Sequence, residues 1–251
     1  MAVAGKGGTG KTTLTGFLVD WLTHNGRTPV LAVDADANSN LNEVLGVDID
    51  ITLGSLREEI KVSEIDPDSK IPGGMTKQEY LNFKFNDALI EEDDYDMLVM
   101  GRTQGTGCYC FVNGLLQTQI RRLSQNYKYV IVDNEAGMEH LSRGVLPGVD
   151  MIILVSDCSR RGVQAARRIA ELITELDMHP SKVGLIINRA PGGELPQGII
   201  DEIEKNGLTL YGVVPQDSKV FEYDSEGRPL IELPGESVAK RSAEEIFQEI
   251  I

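Results

Sequence analysis

The sequence predicts a doubly wound α/β fold, a mostly parallel sheet flanked by helices, and three observations predict it. Short apolar, β-branched runs recur along the chain without polar alternation, as strands covered on both faces require. Each is followed by residues of helical period. The first run passes into its helix through a glycine-rich turn.

The elements follow in order. Met1-Ala2-Val3-Ala4 reads as the end of a buried strand, short enough to suggest a start slightly upstream, and Leu14 to Trp21 as a helix. Further strands are expected at Pro29 to Val33, Met97 to Met100, Tyr129 to Val132, Met151 to Val155, Val183 to Ile187 and Leu208 to Val214. The helix Arg161 to Leu176 sets Val163, Ala166, Ile169, Ala170, Ile173 and Leu176 on one face at three- and four-residue spacing. Residues from about 46 to 95, with Pro72-Gly73-Gly74 and the acidic run Glu91-Glu92-Asp93-Asp94, read as an insertion of short helices and loops. Residues 1–251 are therefore expected to form a single domain, with a core of the size that this length permits.

Composition narrows the function. A formal net charge of −15 argues against binding nucleic acid or an anionic membrane surface. No apolar stretch approaches the ~18 residues of a membrane span. The first residues already form the strand feeding the turn, so no secretory leader is expected. Three cysteines, Cys108, Cys110 and Cys158, do not make a secreted disulfide framework, which points to a reducing cytoplasm.

The turn itself is Gly5-Lys6-Gly7-Gly8-Thr9-Gly10-Lys11-Thr12-Thr13. Between a strand and a helix, such a run curls successive backbone N–H groups around an oxyanion, at a helix end whose dipole favours negative charge. Gly7, Gly8, Thr9, Gly10, Lys11, Thr12 and Thr13 are thus the expected cradle for the phosphates of ATP or ADP. Lys11 reaches the β- and γ-phosphates and the Thr12 hydroxyl ligates Mg2+. Lys6 departs from the ordinary loop of P-loop nucleotidases. Placed before the turn, it is poorly positioned for its own phosphates and better placed for those of a second subunit. The form GKGGxGKT resembles the deviant Walker A loop of the MinD/ParA/nitrogenase-iron-protein group. That resemblance implies an ATP-hydrolysing homodimer in which Lys6 acts in trans.

Further polar residues fall at strand ends, where ligands bind in open parallel sheets. Asp34 and Asp36 follow the second strand. An aspartate here can orient the water that attacks the γ-phosphate. The resemblance gives that catalytic role to Asp36, with Asn40 in the following helix turn. Asp34 suits the outer coordination shell of Mg2+. Asp133, directly after Tyr129 to Val132, matches a Walker B aspartate, and Gly137 can swing its N–H toward the γ-phosphate. Glu139 and His140 follow closely. In the resembling family an asparagine at the place of Asn188 contacts the adenine edge, with Arg189 beside it, and Pro215-Gln216-Asp217 resembles the second base-contacting loop.

Gly105-Thr106-Gly107-Cys108-Tyr109-Cys110 adds another chemistry. Residues two apart in an extended segment face the same way, so both thiolates can grip one soft metal. Two subunits would supply four thiolates, enough for tetrahedral Zn2+, planar Ni2+ or an iron–sulfur cluster. With the run Gly137-Met138-Glu139-His140-Leu141-Ser142-Arg143-Gly144, the pair makes the chain similar to the CooC family of nickel-insertion ATPases. The resemblance implies a dimer whose Cys108 and Cys110 hold Ni2+ or Zn2+ at the interface, serving carbon monoxide dehydrogenase or a related nickel enzyme. An iron–sulfur reductase like the nitrogenase iron protein would need another cysteine among residues 133 to 148, and there is none. A membrane-positioning ATPase would need a basic amphipathic tail. The acidic tail, Val238 to Ile251, is instead expected to pack on the sheet.

Overall fold

The computed structural model describes residues 1–56, 58–59, 74–102, 110–136 and 148–251. Its frame is an eight-stranded sheet: β1 (Ala2–Gly5), β2 (Val30–Ala35), β3 (Leu89–Glu91), β4 (Tyr95–Val99), β5 (Tyr129–Asn134), β6 (Met151–Asp157), β7 (Lys182–Ala190) and β8 (Leu210–Pro215). The spatial order is β3-β4-β2-β5-β1-β6-β7-β8. All neighbours are parallel except the edge pair β3 and β4. The mostly parallel doubly wound sheet expected from the apolar runs is therefore present.

Two apolar layers cover the sheet. On one face Val3, Val30, Ala32, Ile131 and Ile153 pack against Leu14, Phe17, Leu18 and Trp21 of α1 (Lys11–His24). The same layer takes Ala239, Ala243, Ile246, Phe247 and Ile250 from the final helix, α8 (Val238–Ile250). The tail packs against the body of the protein, as its apolar spacing predicts. On the other face Ala4, Leu31, Val33 and Leu154 meet Val163, Ala166, Ile169 and Ile173 of α5 (Arg160–Glu175) and Ile199 and Ile203 of α6 (Gln197–Lys205). Strands buried on both sides read as unbroken apolar runs for this reason.

The stretch from 46 to 95 is more ordered in part than the expectation of short helices and loops. Thr76 opens α3 (Lys77–Asp87) with a capping box: its hydroxyl accepts the Glu79 N–H at 3.2 Å and Glu79 Oε2 accepts the Thr76 N–H at 2.7 Å. Phe85 and Ala88 anchor it in the core. Leu89–Glu91 then pairs antiparallel with β4, an edge strand that the sequence reading missed. Three residues running into the exposed acids Glu91–Asp94 give too short an apolar signal to identify a strand. Further described α-helices are α2 (Leu41–Leu45), α4 (Cys110–Leu123) and α7 (Ser218–Ser225).

Candidate functional site

In a parallel sheet every strand delivers its carboxyl end to one edge, and the predicted site residues converge there. β1 ends at Gly5, where an added Cβ would lie 2.2 Å from the Val155 carbonyl oxygen, so no side chain fits. The chain then turns through Gly8 at φ 78° and Gly10 at φ 86°, left-handed positions that suit glycine, and enters α1 at Lys11. Within the turn the Lys6 carbonyl accepts both the Thr9 hydroxyl at 2.9 Å and the Lys11 ammonium at 3.4 Å. Lys11 is only 8% exposed. Burial pushes its ammonium below the usual lysine range, against the pull of Asp133, Asp36 and Glu135.

Three aspartates stand opposite. Asp34 and Asp133 are side by side on β2 and β5, in register with each other. Thr15, one turn into α1, directs its hydroxyl at Asp133 Oδ1 over 3.3 Å, and the Thr12 hydroxyl also bonds this carboxylate. Burial and then the neighbouring Asp34 push the Asp133 carboxyl up to about 7. Burial pushes Asp34 up to about 6, against stabilisation by the N–H groups of Leu41 and Asp36, which donate to it at 2.9 Å each. Asp36 is less buried and accepts both the N–H and the side-chain amide of Asn38, at 2.8 and 3.0 Å. Asn40 precedes α2 without a side-chain cap bond and lines the same cleft.

At the end of β7, Asn188 Nδ2 donates to the Thr9 carbonyl at 2.9 Å and Arg189 Nη1 to the Gly8 carbonyl at 3.2 Å. Two cavities follow, sharing part of their lining. One of about 460 Å3 runs along the glycine-rich turn past Asp36 and Asn40. The other, about 280 Å3, lies between Asn188, Pro215 and Gln216, with Phe221 on its rim. Thr13, Arg189 and Asp224 line both. Asp217 also lines the second cavity, yet its carboxylate serves two helix starts: Oδ1 accepts the Lys219 N–H, and Oδ2 accepts the Ser237 hydroxyl and the Ala239 N–H.

The sequence reading missed Thr15, Asn38 and Arg228 at this edge. The four-residue step from Lys11 to Thr15 on one helix face was the available signal for the first. Arg228 reaches the larger cavity from far down the chain, its guanidinium 3.7 Å from the Tyr223 ring centroid, and no local pattern announces it. Gly137, Glu139, His140 and Cys108 lie outside the described residues, and only the backbone of Cys110, the first residue of α4, is described. Among the described residues no group of three or more His, Cys, Asp or Glu is placed to hold a metal ion. Cys158 is half-buried against the layer that α5 covers, where burial, with Asp157, pushes its thiol up.

Residues 1–230 match the model of the CobQ/CobB/MinD/ParA nucleotide binding domain. An uncharacterised ATP-binding protein of Methanocaldococcus jannaschii is 41% identical over 251 residues, covering 100% of this chain and 98% of its own. The carbon monoxide dehydrogenase accessory protein CooC of Rhodospirillum rubrum is 29% identical over 248 residues, covering 86% of this chain and 90% of its own. Among solved structures, the septum site-determining protein MinD of Pyrococcus horikoshii, complexed with Mg-ADP, has a TM-score of 0.72 at 24% identity, across 99% of this chain and 94% of that one. The chain belongs to the CobQ/CobB/MinD/ParA family of nucleotide-binding proteins and is an ATPase.

Proposed function

We propose that this ATPase is a dimeric metallochaperone that takes Ni2+ or Zn2+ as cargo on Cys108 and Cys110 and assists nickel insertion into carbon monoxide dehydrogenase or a related nickel enzyme. The observation that carries the reading is topological. β4 runs parallel to β2 with Val99 opposite Asp34, and Asp34 is opposite Asp133, so α4, which starts at Cys110, follows a strand that ends on the nucleotide edge. Similarity to the CooC protein supports the client class.

In this reading ATP lies along the two cavities, its base against Asn188, Pro215 and Gln216 and its phosphates on the turn from Gly7 to Thr13, with Arg189 at the neck. Asp217 shapes the base end by fixing the starts of α7 and α8. The oxygens of Thr12, Asp34 and Asp133 are the hard donors that Mg2+ prefers, and the two buried carboxylates disfavour each other's ionisation until a cation joins them. Mg2+ held by these residues would supply positive charge for the transferring phosphate. Lys11 holds the same oxygens and Asp36 orients water. Gly137 senses the γ-phosphate. Lys6, exposed beside a groove lined by Ala165, Arg168 and Leu172, reaches the phosphates of a second copy. Closure of the dimer on ATP then brings four thiolates together, in a reducing cytoplasm that keeps them free. Residues 1–251 act as one domain. The packed face of α8 argues against use of the tail as a membrane anchor.

Equilibrium Ni2+ and Zn2+ binding, with oligomer mass measured with and without ADP or ATP, tests the reading on wild type and on Cys108→Ser/Cys110→Ser. Full stoichiometric metal binding by the double variant would falsify it. Lys6→Ala should keep ADP binding and lose turnover.

A further inference from the structure

Asn188 and Arg189 grip two consecutive carbonyls of the phosphate loop. In a trans peptide the carbonyl and the following N–H point in opposite directions. A Gly8 carbonyl held by Arg189 therefore turns the Thr9 N–H away from Arg189, and a Thr9 carbonyl held by Asn188 turns the Gly10 N–H away from Asn188. N–H groups of such a loop are the ones on which phosphate oxygens settle. Local geometry is built around this grip. Arg189 adopts φ 57°, a left-handed backbone that arginine rarely takes. Asn188 is buried, and its Oδ1 accepts the Arg189 N–H at 2.9 Å, tying the two residues together. Gly10 has no room for a Cβ, which would lie 2.2 Å from Asn188 Nδ2. Arg189 is exposed and lines both cavities, and a guanidinium has five donors, of which the Gly8 carbonyl uses one.

We propose that Arg189 is a positioning residue for ATP hydrolysis: with Asn188 it braces the phosphate loop from the base end of the cleft and holds the peptide planes on which the phosphates settle. This stands apart from the metal reading, since it needs only the ATPase activity. Its effect belongs to the transition state, where phosphate alignment is most demanding, more than to nucleotide binding as a whole.

The test compares Arg189→Gly and Arg189→Lys with wild type by ADP titration calorimetry and steady-state Mg-ATP hydrolysis. Glycine accepts φ 57° freely, so Arg189→Gly removes the guanidinium without backbone strain. It should hold ADP within about threefold of wild type yet lose about tenfold or more in kcat, with Arg189→Lys recovering part of the loss. Asn188→Ala combined with Arg189→Gly should lose less than the product of the two single losses, as members of one brace do. Unchanged kcat in Arg189→Gly would overturn the proposal. So would a parallel rise of Kd and KM at constant kcat, which would make Arg189 a plain binding group.

Discussion

Asp34 Oδ2 accepts the backbone N–H of Leu41 at 2.9 Å, seven residues downstream, and so closes the segment between β2 and α2 into a clasped loop. The other carboxylate oxygen takes the Asp36 N–H at the same distance. The position of Asp36 therefore depends on Asp34.

Removing the clasp should unhinge that loop. Asp34→Ala leaves two N–H groups without their acceptor, a loss of about 2 kcal/mol, partly offset by relief of a buried carboxylate. Urea unfolding should show the lower midpoint, and Mg-ATP turnover should fall about a hundredfold or more as Asp36 drifts. Turnover near wild type would mean that Asp36 is held by other contacts, such as Asn38.

The raised carboxyls at Asp34 and Asp133 predict opposite pH trends with and without ligand. Each has a folded pKa, about 6 and about 7, above its unfolded value of 3.8, so the folded protein binds the extra proton between those limits. The stability this contributes is present below about pH 4 and is lost as pH rises through about 7. Melting of the ligand-free protein should therefore show a contribution that falls over this window and is reduced in Asp133→Asn. On the proposed Mg2+ site, Mg-ADP binds through the ionised carboxylates, so the rise in Tm that it produces should be larger at about pH 8 than at about pH 6. A shift independent of pH would separate these carboxylates from Mg2+.

Far from the cleft, α1 is tied to α8. Lys240 Nζ lies 2.9 Å from Asp20 Oδ2 and donates to the Ile231 carbonyl at 2.6 Å, while Trp21 and Phe247 meet with ring centroids 6.1 Å apart. Asp20→Ala strands a mostly buried ammonium and should cost about 3 kcal/mol. Because α8 enters neither cavity beyond Ala239, kcat at a temperature where the variant remains folded should stay within about twofold of wild type. A large kcat loss would show that this end of α1 controls the loop at its start.

How much of this was legible follows from the physics of each signal. Strands such as Val30–Ala35 and Met151–Asp157 are buried on both faces and announce themselves by composition. Asp34 and Asp133 are readable because they close apolar strands, and Lys11 because the glycine-rich turn before α1 marks its place. The capping pair Thr76 and Glu79 carries a four-residue signature in the sequence, whereas Leu89–Glu91 is stabilised by pairing with β4 and has almost no signal of its own. Asp217 is read as part of a loop that resembles a base-contacting one; its N-cap bond to Lys219 is local, whereas its second bond set, to Ser237 and Ala239, depends on residues twenty or more away in sequence. Arg228 likewise depends on the path of the chain after α7.

Two loop glycines with similar backbones should respond unequally to alanine. Gly8 has φ 78° and nothing within 4 Å of an added Cβ, so Gly8→Ala pays only for the left-handed conformation, about 1 kcal/mol. Gly10, at φ 86°, would in addition drive its Cβ to 2.2 Å from the buried Asn188 amide, which holds the Thr9 carbonyl and cannot yield without releasing it. Gly10→Ala should therefore lower the unfolding free energy by about 2 kcal/mol or more beyond Gly8→Ala, and weaken ADP binding at least about tenfold further. Paired denaturant curves and calorimetric titrations read both differences. Asn188→Ala in the Gly10→Ala background should recover part of the lost stability, because the clash is with that side chain. If the two alanine variants behave alike, backbone strain alone governs the turn and the close approach of Asn188 does not constrain it.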